Sequence, residues 1–286
     1  MVMNSKERWY EGTVYVALLL LAALVVFPLL YVLSVSLTPY SEVMKNGGFR
    51  IIPTQITWEA YGMFLKDSTI PRAYGVSFFV TIIGTLLNVI LTVLMAYPLS
   101  KKTLPGRSAL LFIVMFTMMF SGGIIPTYLI VKATGLLNSV WSMIIPTAVG
   151  TFSLLITKTF FENIPESLIE AARIDGASES RVLVRIILPM SLPVVATIAT
   201  FYGVMHWNEF FNAVMYITDT DKLPLQVVLR GILTASMSSE INSEKTVPTT
   251  TLQMAGVILS ALPVVATYPF IQKYFTKGML VGAVKG

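Results

Sequence analysis

Apolar residues gather in six long runs, 13–37, 76–98, 108–131, 139–157, 187–208 and 253–272, and none of these runs contains Lys, Arg, Asp or Glu. At about 1.5 Å of rise per residue, about 20 such residues wound as a helix cover a hydrocarbon core of roughly 30 Å. The pattern predicts an all-α fold: a polytopic transmembrane bundle of six spans, forming one transmembrane domain over 1–286. Three polar segments between the runs are long, 38–75, 158–186 and 209–252, and function outside the bilayer is expected there. Lys6 and Arg8 precede the first run, as in a signal peptide. Its apolar stretch is longer than a signal core of about 7 to 15 residues, so it is read as an uncleaved anchor.

Composition agrees with a lipid solvent. Hydrophobic residues make up 55% of the chain and charged residues 12%, against roughly 25% charged in a soluble domain. Mean hydropathy is +0.75. The formal charge of +5 is read as a loop bias rather than a nucleic-acid surface, because no basic run is interleaved with aromatics. Lys101, Lys102 and Arg107 cluster in a short loop beside the second run, where basic residues fix orientation most strongly. That loop lies on the side of the N-terminus, which predicts that both termini are cytoplasmic.

The missing residue types narrow the chemistry. There is no cysteine and His206 is the only histidine, so thiolate or histidine metal sites, cysteine nucleophiles and a Ser/His/Asp triad are not expected. No G-x-x-x-x-G-K-[ST] phosphate loop is present, so any ATP that drives this protein binds another chain. The reading is therefore a non-enzyme with no metal. An ion-coupled secondary transporter is the alternative, but it needs ionisable groups at membrane depth, and only Glu209, at the edge of the fifth run, is a candidate.

Segment 158–186 carries its own helix signals. Asn163 followed by Glu166 has the form of a capping box, Pro165 suits a first turn, and Gly176 fits a left-handed stop after Asp175. Ser178 then caps a second helix running to Pro189. The first of these helices is about ten residues long, too short to be stable in water without a packing partner. An interfacial helix lying on lipid is one reading. Glu166, Glu170 and Asp175 suit a protein socket better than an anionic membrane, and Ala171 and Ala172 allow a partner close approach.

Within that segment Glu170-Ala171-Ala172, three residues, Gly176, nine residues, Ile186, one residue and Leu188-Pro189 resemble, at each of seven fixed positions, the EAA loop of binding-protein-dependent ABC importer permeases. Trp207-Asn208, Tyr268-Pro269-Phe270, Gln272 to Phe275 and the ending Gly282 to Gly286 are similar to the maltose-permease type of carbohydrate-uptake permease. Ser121 to Tyr128 resembles the branch handling larger or uronic-acid-containing oligosaccharides.

The resemblance implies a permease subunit in the bacterial cytoplasmic (inner) membrane, multi-pass and in contact with lipid. It implies four partners: a second permease subunit forming a heterodimer, a dimer of ATP-binding-cassette ATPases that holds ATP and Mg, an extracellular or periplasmic solute-binding protein, and a sugar or oligosaccharide. By the same resemblance Glu170, Ala171, Ala172, Asp175, Gly176, Ile186, Leu188 and Pro189 couple to the ATPase, Glu170 meeting a basic residue in its cleft. Gly282, Lys285 and Gly286 would insert between the ATPase subunits, although as a terminus the tail also reads as a frayed end. Asn88, Trp207, Asn208 and Asn212 are candidate sugar contacts, since aromatic faces stack on sugar rings and amides bond hydroxyls. Asn88 reads equally well as interhelical glue.

Overall fold

Hydrocarbon offers backbone amides no partner, so a chain this apolar folds into helices that satisfy their own N–H and C=O groups. The computed structural model describes residues 5–45, 52–53, 55–66, 68–239 and 250–283, and no strand forms among them. In chain order the helices are α1 (Ser5–Ser36), α2 (Tyr40–Lys45), α3 (Glu59–Lys66), α4 (Thr69–Ser100), α5 (Arg107–Met119), α6 (Ile124–Ala133), α7 (Thr151–Glu162), α8 (Glu166–Ile174), α9 (Glu179–Val182), α10 (Leu188–Met190), α11 (Leu192–Trp207), α12 (Phe211–Tyr216), α13 (Leu225–Ser239) and α14 (Thr250–Ala283). Short 3-10 turns at Val140–Met143 and Ile145–Thr147 precede α7, and a π turn at Leu183–Ile187 joins α9 to α10.

The helices form two compact units, Met1–Ser68 with Leu229–Leu262, and Thr69–Val228 with Pro263–Gly286. In the first, polar bonds join distant segments: the Ser36 and Tyr61 hydroxyls are 2.7 Å apart, and Thr251 Oγ1 donates to the Thr38 carbonyl at 3.2 Å. The second is built around α4. Its buried stripe runs Ala73, Ser77, Val80, Gly84, Asn88, Thr92, Ala96, small or polar residues three or four apart. The opposite side presents Ile82, Leu86, Ile90 and Leu94, all exposed. This inverts the soluble pattern, as expected where lipid rewards apolar residues outside and close backbone approach with interhelical hydrogen bonds holds the inside together. The stripe meets Val194, Ile198, Tyr202 and His206, the buried positions of α11.

Of the six expected apolar runs, three lie in single helices and three in bent helix pairs. Trp9–Ser36, Thr69–Ser100 and Thr250–Thr267 are single apolar helices, but α5 and α6 meet at 115°, the Val140–Thr147 turns and α7 at 49°, and the Glu179–Met190 and Leu192–Trp207 segments at 83°. Each break has a local cause. Gly123, at φ 85° and ψ 177°, occupies a region open to glycine, and Ser121 and Gly122 before it are weak helix formers. The second break holds Pro146 and the extended Gly150 (ψ 122°). At the third, Pro189 and Pro193 each lack an N–H, which opens the ladder into the π turn and a non-helical Ser191 at φ −103° and ψ 10°. The helix expected to run unbroken from Ser178 to Pro189 is likewise interrupted at Leu183–Ile187.

Candidate functional site

The polar loop between α7 and α11 folds as helix, tight turn, helix. Helix α8 ends in a Schellman motif: Ala177 N–H donates to the Ala172 carbonyl at 2.9 Å and Gly176 N–H to Arg173 at 3.0 Å, with Gly176 at φ 78°. The capping box expected from Asn163 and Glu166 is corrected. Pro165 holds the N-cap position with no side-chain cap bond, and the Asn163 amide turns back to the Thr159 carbonyl at 3.0 Å, so it closes α7 instead of opening α8. Ser178 stands at the N-cap of α9, but its hydroxyl lies 3.2 Å from that of Ser180 instead of bonding a backbone N–H.

Burial divides α8 into two faces. Ile169 and Ala172 pack on a core of Val93, Tyr97, Leu99, Phe161, Val182, Leu183 and Ile187. The opposite face, Ser167, Glu170, Ala171 and Ile174, follows the i, i+3, i+4, i+7 spacing and is open to solvent. Ile174 is 87% exposed. This face carries an isoleucine fully out, two small residues beside it and one carboxylate. Asp175 and Gly176 are exposed at its end, Ile186 and Leu188 are half-buried, and Pro189 is exposed.

One charged cluster fastens this loop to α4, and a second ties α7, which leads into it, to α5 and the end of α4. Glu179 Oε1 accepts from Arg173 Nε at 3.1 Å and pairs with the same guanidinium at 2.9 Å, while Oε2 accepts from the Tyr97 hydroxyl at 2.6 Å and from Lys101. The Lys101 ammonium also lies over the Tyr97 ring, 4.4 Å from its centroid. Glu179 lies in the polar loop ahead of the apolar run that starts at Ile187. In the second cluster Glu162 pairs with Arg107 and, at 2.7 Å, with Lys158, and Arg107 Nε donates to the Leu99 carbonyl at 2.8 Å. The sequence reading passed over both clusters: Lys158 and Glu162 stand at i, i+4 and were visible, but the Lys101–Glu179 and Arg107–Glu162 partners are 78 and 55 residues apart and leave no local signal.

The candidate sugar contacts fall in different surroundings. Asn88 is fully buried, its amide nitrogen 3.1 Å from His206 Nε2 and donating to the Thr147 carbonyl at 3.3 Å. Trp207 is 5% exposed, its ring centroid 5.3 Å from Phe78 and 6.2 Å from Tyr74. Asn208 is exposed and its amide bonds the Val204 carbonyl at 2.8 Å. Asn212 donates from its backbone and its amide to the Glu209 carboxylate, both at 3.0 Å. Of the tail, Gly282 lies in the last turn of α14, and Lys285 and Gly286 lie outside the described residues.

Residues 91–281, which contain α8, its turn and both charged clusters, match the family described as "Binding-protein-dependent transport system inner membrane component". The chain belongs to that family. It is 44% identical over 286 residues to the polygalacturonan/rhamnogalacturonan transport system permease protein YtcP of Bacillus subtilis, covering 98% of this chain and 100% of that one. It is also 44% identical over 268 residues to the protein LplC of the same organism, covering 92% and 90%. In three dimensions it resembles a bacterial ABC transporter involved in the import of the acidic polysaccharide alginate, at TM-score 0.86 and 30% identity over 96% of this chain and 99% of that one. The chain is therefore the multi-pass membrane component of a binding-protein-dependent ABC importer. ATP hydrolysis resides in a separate subunit and solute arrives on a binding protein. Nothing supports the ion-coupled alternative.

Proposed function

We propose that this permease carries an acidic, uronic-acid-containing oligosaccharide from an extracellular binding protein into a bacterial cytoplasm. Support for the substrate class comes from the names of two relatives, one transporting polygalacturonan and rhamnogalacturonan and one importing alginate. In this reading each bent pair counts as one span, giving six, both termini are cytoplasmic, and the chain pairs with a second permease subunit. Helix α8 is the coupling helix, docked on an ATPase dimer that binds ATP and Mg. The observation that carries this role is its outward face, where Ile174 is 87% exposed beside Glu170 and Ala171.

The coupling follows from the loop's construction. Glu170 meets a basic group of the ATPase, and desolvation in the cleft makes an unpaired partner costly. Gly176, with Asp175 before it, closes the helix without a side chain at positive φ, and Ile186, Leu188 and Pro189 carry the loop into the bent fifth span. The tail from Gly282 through Lys285 and Gly286 lies between the ATPase subunits. Asn208 and Asn212, at the far end of α11, are the better placed sugar contacts. Asn88 and Trp207 act through packing, as the glue between helices and as a wall for Tyr74 and Phe78.

The test is uptake of labelled oligogalacturonides and of neutral oligosaccharides of equal length, in cells lacking and carrying the chain, with and without the binding protein. Uptake of the acidic series that needs both proteins supports the proposal. Preference for the neutral series, or uptake that persists without the binding protein, overturns it.

A further inference from the structure

The polar bonds around Glu179 join three elements that the importer has to move together. Arg173 lies in the last turn of α8, Tyr97 and Lys101 lie at and just beyond the Ser100 end of α4, and Glu179 opens α9. Arg173 donates from Nε to one carboxylate oxygen of Glu179 and forms an ion pair with it, while Tyr97 and Lys101 bond the other. The Glu179 side chain is 53% exposed, Lys101 23% and Arg173 43%, so these pairs contribute little to folding stability. Their value is geometric: the Glu179 carboxylate holds α8 on one oxygen and α4 on the other, so these charge-assisted bonds set the spacing of the two helices. Besides them α8 is held by the apolar contacts of Ile169 and Ala172 and by the turn at Gly176. Beyond the clamp the path is continuous, because α4 is itself joined to α11 through Thr92–Tyr202 and Asn88–His206.

We infer that Glu179 is a positioning residue for coupling: it locks α8 to the Ser100 end of α4, so that displacement of α8 is delivered to the α4–α11 pair. This rests on the reading of α8 as the ATPase contact. A network counts as a route only when breaking it uncouples its ends while both ends remain intact.

The experiment uses the complete importer in liposomes and compares Glu179→Gln, Glu179→Asp, Arg173→Gln, the Arg173→Gln/Glu179→Gln pair and, as a separate arm, Ile174→Asp on the outward face. ATPase retention, basal hydrolysis and sugar transported per ATP are measured for each. Glu179→Gln is expected to keep retention and basal hydrolysis while transport per ATP falls about fivefold, the scale of one partly exposed charge-assisted bond. Glu179→Asp should recover part of that loss, and the double variant should be no worse than Glu179→Gln alone. An unchanged transport-to-ATP ratio in Glu179→Gln, a loss of ATPase retention parallel to the loss of transport, or additive losses in the double variant overturns the inference. If Glu179→Gln does not accumulate, Tyr97→Phe, which removes one donor and keeps the packing, must lower the ratio by itself or the inference fails. Ile174→Asp tests the underlying reading separately: full ATPase retention there refutes α8 as the contact, whatever Glu179 does.

Discussion

The Tyr202 hydroxyl lies 2.8 Å from Thr92 Oγ1 and accepts the Gly150 N–H at 2.9 Å, so one phenol on α11 ties α4 to the break that precedes α7. A broken helix within an apolar span exposes amides that lipid cannot satisfy, and such breaks persist only where protein groups take them up. Tyr202→Phe keeps the ring and leaves the Gly150 amide and the Thr92 hydroxyl buried without this partner. A loss of about 1 to 3 kcal/mol is expected. Thermal unfolding of the purified chain in detergent measures it, and a transition unchanged from wild type would show that the bond does not support the break.

Gly84 on α4 faces the His206 ring on α11. A Cβ built there would stand 2.6 Å from His206 Nε2, and that ring is 1% exposed and bonded to Asn88. Gly84→Ala must therefore push the ring or the helices, at a cost of about 1 to 3 kcal/mol. Adding His206→Ala removes the clash, so the double variant should lose less than the sum of the two singles. Additive losses in the same unfolding assay would mean that the two residues do not share this contact.

Gly176 offers a cleaner case, since no atom lies within 4 Å of its missing Cβ and only φ 78° opposes a side chain. Gly176→Ala should cost about 1 kcal/mol of loop stability, whereas Gly176→Asn, which tolerates the left-handed region, should cost less. Loss of ATPase association by the two variants in that order would report the strain. Equal losses would point to a side-chain contact with the partner at that position.

What the sequence revealed follows from which forces act locally. Hydropathy found the apolar runs because lipid selects residues in bulk, yet it missed the bends at Gly123, Gly150 and Ser191, since a window average does not register φ, ψ or a missing N–H. Pro189, Pro193 and the Gly122-Gly123 pair were visible and could have been weighed against continuity. The turn at Gly176 was legible because its signal is one residue at a fixed offset. The Asn163 cap was misread because an Asn side chain can accept a forward N–H through Oδ1 or donate back to a carbonyl through Nδ2, and here it donates to that of Thr159. Glu179 was out of reach, as its partners Tyr97 and Lys101 come together with it only once α4 and the loop are folded.

The central claim, that the outward face of α8 couples this permease to its ATPase through a specific carboxylate, is tested most directly by comparing Glu170→Ala with Glu166→Ala. Both substitutions remove one exposed negative charge from the same helix and keep its helix propensity, but only Glu170 belongs to the EAA spacing. ATPase pull-down and sugar-stimulated hydrolysis are measured for both in the same membranes. The expected result is a loss of about 2 to 5 kcal/mol for Glu170→Ala, more than about tenfold in association, with Glu166→Ala close to wild type. Equal behaviour of the two variants, or normal coupling in Glu170→Ala, would contradict the claim.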